Sequence, residues 1–137
     1  MGGGITLRVL TVSPDIKAAV LYAAMSGDEY QNFVAIGNWS SGGRGQEERQ
    51  VPVNELERIS PIHYLDRIQA AVSINHGKSD ELVPIAWSID LCQRLGALNK
   101  IVECHYYPGQ PHTFHPDGGA LLAENVIAFY NKYLAGK

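Results

Sequence analysis

The sequence predicts an α/β protein built on a parallel sheet, and three observations predict it. Apolar segments of strand length, "IKAAVLYAAM", "AAVSINHG" and "KIVECHYYPG", recur along the chain, each closed by turn-forming residues. Stretches with helical character stand between and after them. Strands that alternate with helices pair in parallel through right-handed crossovers, so the alternation itself selects the class. At 137 residues, 45% hydrophobic and 18% charged, the chain suits one domain with its own core.

The elements follow in order. After Gly2, Gly3 and Gly4, the residues Ile5, Leu7, Val9, Leu10 and Val12 suggest a short helix, closed by Ser13-Pro14-Asp15. Ile16 to Met25 is almost continuously apolar and ends at Ser26-Gly27-Asp28, which predicts a strand buried on both faces. Residues 28–58 are mixed, and the polar, glycine-rich "NWSSGGRGQEERQVP" reads as a mobile, cap-like or loop excursion. Asn54 is placed to cap a short helix that stops near Ser60-Pro61. Ala70 to Gly77 forms a second buried strand. Pro84 then opens a helix with Ile85, Ile89, Cys92 and Leu95 on one face. Lys100 to Gly109 is a third strand, rich in β-branched and aromatic residues. The final helix, from Leu121, carries Leu122, Val126, Phe129 and Tyr133 on one stripe, with Gly136 at its end.

A formal net charge of −3 offers no electrostatic footprint for nucleic acid or for an anionic bilayer. No apolar run reaches the roughly 18 residues of a membrane span, and no basic segment precedes an apolar one as in a signal peptide. Cys92 and Cys104 lie inside periodic segments without metal-ligand spacing and read most simply as buried thiols. A reducing cytoplasm is the expected compartment. His63, His76 and His105 have neither the spacing nor the company of metal ligands.

In a parallel sheet, functional groups gather in the loops at the carboxyl ends of the strands. The first strand delivers Ser26, Gly27 and Asp28. The second delivers "HGKSDELVP", with Asp80, and the third "YPGQPHTFHP", with His112 and His115. Each residue alone also suits a turn or a surface position. Together they set a carboxylate and an imidazole on one rim, the geometry in which an acid orients a general base.

"HGKSDELVP" resembles the acid loop, and "YPGQPHTF" the histidine loop, of α/β-hydrolases of the prolyl-oligopeptidase and dienelactone-hydrolase type. "SPIHYLDRIQAAVSINHG" is similar to the segment leading into their acid strand. The resemblance covers nearly the whole chain. It implies the carboxyl-terminal half of a three-layer α/β-hydrolase fold, about three strands with flanking helices. It implies Asp80 as catalytic acid and His112 as base, with His76 making a structural hydrogen bond; His115 does not match the base position and reads as a helix-entry or surface residue. No metal or organic cofactor is implied, and the substrate would be a small ester or amide, cleaved as by an esterase or a peptidase.

In such proteins the nucleophile stands in a G-x-S-x-G elbow. "MGGGITL" resembles the half that follows the serine, with Met1 at the oxyanion-donor position and Gly2 the closing glycine, crowded between strand and helix. Three glycines also suit a flexible tail or a cloning remnant. The elbow reading leaves the chain without its serine and impaired alone, so Ser26 becomes a candidate surrogate nucleophile and Ser79 a second one. Trp39, Phe33 and Tyr30 are candidates to line a substrate pocket, or they hold the excursion down. The strand edge at residues 18–25 lacks its neighbour, which predicts a homo-oligomer, at simplest a homodimer. The rival reading is a non-catalytic fragment or pseudo-hydrolase whose stable product is that oligomer.

Overall fold

The computed structural model describes residues 1–134. It contains α1 (Gly2–Val12), β1 (Ala18–Tyr22), α2 (Glu29–Trp39), α3 (Val53–Ile59), β2 (Ala71–Gly77), α4 (Ile85–Ala97), β3 (Val102–Tyr107) and α5 (Pro116–Leu134). Short 3-10 turns lie at Glu48–Gln50, Pro61–His63 and Leu65–Arg67. The expected helix end at Gly136 lies outside the described residues. No helix among the described residues is long and apolar enough to cross a membrane.

The strands are parallel, in the order β1-β2-β3. Register sets Val72 between Ala19 and Val102, and Ile74 between Leu21 and Cys104. These six side chains share one face, because residues two apart point the same way. Leu7 and Leu10 of α1, Leu91 and Leu95 of α4, and Leu65 and Ile68 close the core over them. The other face of β2 carries Ser73 and Asn75, and α5 packs there. Its polarity is satisfied internally: Tyr107 donates to Asn75 Oδ1 at 2.7 Å, Asn75 to Ser73 Oγ at 2.9 Å, and Asn125 of α5 to Tyr107 Oη at 3.0 Å. Helices, sheet and helix make the three layers.

Several expectations change. β1 stops at Tyr22 because Ala23 turns the chain with φ +41. It is an edge strand, and only its alternate residues Ala19 and Leu21 are buried, so it is not enclosed on both faces. The crowded glycine is Gly3, whose Cβ would lie 2.6 Å from Ala24 Cβ, whereas one at Gly2 would meet nothing within 4 Å. Residues 28–58 include α2 and α3, joined through turns and bends over 40–52, and Asp28 caps α2 by accepting from Tyr30 and Gln31 N–H. Asn54 lies inside the first turn of α3, after Pro52, and caps nothing. On α4 the buried stripe is Ser88, Leu91 and Leu95, with Ile89 turned outward.

Cys92 and Cys104 are a disulfide, not thiols. Cys92 faces the sheet from α4 and Cys104 stands on the apolar face of β3, with Cα atoms 6.4 Å apart, within bridging reach. The bond ties α4 to β3. The thiol premise for a reducing compartment does not hold.

Candidate active site

Because β2 and β3 are adjacent and parallel, the loops at their carboxyl ends open on one rim. Gly77 closes β2. A Cβ there would stand 2.2 Å from Gln110 O and 2.8 Å from Pro111 O, so only glycine lets the loop after β3 cross over the end of β2. Lys78 N–H donates to Tyr107 O at 2.8 Å and Ser79 N–H to Gln110 O at 3.0 Å. Backbone bonds thus lace the two loops together and set Asp80 against His112.

His112 Nδ1 donates to Asp80 Oδ2 at 2.9 Å. Asp80 Oδ1 accepts from Leu82 N–H at 2.9 Å and Val83 N–H at 2.8 Å. The Asp80 side chain is 0% exposed and that of His112 31% exposed. Burial by itself raises the carboxyl pKa. Val83 N–H, the His112 ring and Leu82 N–H outweigh it and hold Asp80 below its ordinary value. An ionised carboxylate only accepts, so the Asp80-facing Nδ1 carries the proton and Nε2 keeps its lone pair in the neutral ring.

Two further contacts hold the histidine. Its N–H donates to Glu81 Oε2 at 3.1 Å, and the Tyr22 hydroxyl donates to its carbonyl. Tyr22 also packs edge-on against Phe114, which packs in turn on Tyr107, with centroids 5.0 and 4.9 Å apart. Neither Tyr22 nor Glu81 was singled out in the sequence. The available signal was weak: a large aromatic at the end of β1, and a second acid beside Asp80. Gln110 was missed as well. Its Oε1 accepts from His115 N–H at 2.9 Å, and its side chain fills the space that a Cβ on Gly118 would need. His115 stands just ahead of α5, at a helix entry.

The remaining candidates lie elsewhere. Ser26 is buried, donates to Gln31 Oε1 at 3.1 Å and accepts from Asp28 N–H at 3.1 Å. That engages it in the entry to α2, and among the described residues it makes no hydrogen bond to His112. Ser79 is held by its backbone, as above. Phe33 and Trp39 do share a cavity, of about 910 Å3, with Met1, Met25 and Ile36. Tyr30 borders a separate cleft of about 200 Å3 that also contains Ser26.

A parallel sheet with a buried acid and a half-exposed histidine on adjacent loops is an arrangement of the α/β-hydrolase class, and the fold places the chain there. All of residues 1–137 match the prolyl oligopeptidase family (Peptidase S9), and the chain belongs to that family. It is 30% identical over 112 residues to the Bacillus subtilis protein named "Uncharacterized peptidase YtmA", covering 71% of this chain and 44% of that one. The chain therefore spans less than half the length of this curated relative. A Mycobacterium tuberculosis puromycin-hydrolyzing peptidase superposes with a TM-score of 0.81 at 24% identity, over 99% of this chain and 21% of that one. Pyrococcus horikoshii acylaminoacyl peptidase gives 0.82 at 21% identity, over 97% of this chain and 23% of its own. At these identities the likeness is one of fold.

Proposed function

We propose that this chain carries the acid and base of a serine hydrolase that cleaves amide or ester carbonyls. The observation supporting it is the Asp80–His112 pair at 2.9 Å, with the acid enclosed and the imidazole reaching solvent. In this reading a serine hydroxyl bonds to the carbonyl carbon while its proton passes to His112 Nε2. Asp80 steadies the imidazolium, which returns the proton to the departing amine or alcohol. Water then releases the acyl group by the same route. The sequence contains no G-x-S-x-G, and in this reading the elbow belongs at the amino end of α1, where "MGGGITL" resembles its second half. Met1 there borders the cavity of Phe33 and Trp39, which suits an apolar or aromatic substrate side chain. Family membership favours a peptide or related amide over a simple ester.

Fluorophosphonate labelling and p-nitrophenyl ester hydrolysis test the assignment. With a G-x-S segment joined ahead of Met1, a labelled serine is expected, and His112→Ala in that protein should lower kcat/KM at least about 1,000-fold. Labelling of Ser26 would identify it as the surrogate. A protein carrying that added serine that neither labels nor hydrolyses any ester or anilide would remove the catalytic reading.

A second reading has its own support: the chain self-associates, with or without catalysis. Among the described residues β1 has one side unpaired, and Ile5, Val9 and Val12 make an exposed apolar stripe on the neighbouring α1. Light scattering should then show a dimer or larger species, and a strict monomer would end this reading.

A further inference from the structure

We propose that His76 is a positioning residue for the acid: an imidazole whose tautomer is set by the Val83 carbonyl and supported by Ser88, and which holds an N–H beside the Asp80 oxygen facing His112. The inference rests on the reading of Asp80 and His112 as the acid–base pair.

His76 is the penultimate residue of β2 and is wholly buried. It stands two residues beyond Ile74, on the sheet face that α1 and α4 cover with leucines, where an apolar side chain would meet the packing requirement. Instead both ring nitrogens are engaged. Nε2 lies 3.0 Å from Val83 O and 3.1 Å from Asp80 Oδ2, and Nδ1 lies 2.7 Å from Ser88 Oγ on α4. A backbone carbonyl only accepts, so Nε2 bears the hydrogen. Nδ1 then accepts from the Ser88 hydroxyl. The hydrogen-bond axis points at Val83 O, and Asp80 Oδ2 lies beside it. Burial keeps His76 below its ordinary pKa, which holds the ring neutral.

The consequence falls on Asp80. Its Oδ1 is taken by two backbone N–H groups, so Oδ2 is the atom that serves His112. Oδ2 thereby has two imidazole nitrogens beside it, one buried and one exposed. The buried N–H draws charge from that oxygen and limits how strongly it stabilises the His112 imidazolium. The titratable groups around His112 are Asp80 and Glu81 from the acid loop, His76 from β2 and Tyr22 from β1.

The test is the NMR titration of the His112 ring, followed with thermal unfolding, in the wild type, His76→Gln, His76→Leu and Ser88→Ala. Gln keeps an N–H donor near the imidazole Nε2 position. His112 should titrate alike in the wild type and His76→Gln, and at higher pH in His76→Leu. Ser88→Ala, which removes one oxygen and should fold even if His76→Leu does not, should give a smaller shift of the same sign. Variants that lose stability while His112 titrates unchanged would show that His76 only fills space, and overturn the proposal. The readout needs no nucleophile. A shifted titration with no labelled serine would sink the hydrolase reading alone, and a labelled serine with no shift would sink this inference alone.

Discussion

The two sides of the sheet's upper rim differ in how completely they are built. Around the ends of β2 and β3, glycine permits a backbone crossing, loops are cross-bonded, a buried carboxylate has its acceptors filled, and a disulfide ties the adjoining helix and strand. Around α1 and β1, one strand edge is unpaired among the described residues and Ile5, Val9 and Val12 face outward. The first side holds its groups in place without help. The second offers backbone and apolar surface for contact. In the proposed reading, the acid–base pair is complete within this chain, and the open side is the one that a nucleophile would occupy.

If that contrast holds, small changes on the built side should cost most. Gly77→Ala should lose about 3 kcal/mol or more, a Tm drop of roughly 10 °C, since the new Cβ would stand 2.2 Å from a backbone oxygen. A Tm within a degree of wild type would mean that the loops are not laced as described. Next in size is the disulfide, whose cysteines lie 12 residues apart. Reduction, or the pair Cys92→Ser and Cys104→Ser, should cost about 2–3 kcal/mol by denaturant unfolding.

Smaller again is the effect of pH. Burial holds His76 below its ordinary 6.5, so its contribution is complete above that pH. As the pH falls below 6.5 the unfolded chain takes up a proton that the folded ring refuses, and stability declines until the folded value is passed. A Tm series from pH 8 to pH 5 should slope downward, and less so in His76→Leu. The smallest change belongs to the open side. Asp28→Ala removes a cap from α2 and should cost about 1 kcal/mol, leaving His112 NMR shifts unmoved.

Asp80 and His112 were legible in the sequence because each follows an apolar run cut by a glycine turn, and parallel topology sends such loops to one rim. α2 was not, since Phe33, Ile36 and Trp39 are interspersed with polar residues and lead into a glycine-rich tract. The disulfide could not be read, because Cys92 and Cys104 meet only through the packing of α4 on β3. The tightness at Gly3 rather than Gly2 is likewise a matter of how a helix seats on a strand end. His76 was visible as a histidine before a glycine, but its two partners come from Ser88 and the turn at Val83, which no local pattern connects.

The tautomer of His112 tests the central claim most directly. Nitrogen-15 NMR of the ring in the neutral protein should show the proton on Nδ1, with a far-downfield N–H signal that disappears in Asp80→Ala. A ring protonated on Nε2, or one exchanging between tautomers like a solvent-exposed histidine, would contradict an acid-held base at this rim.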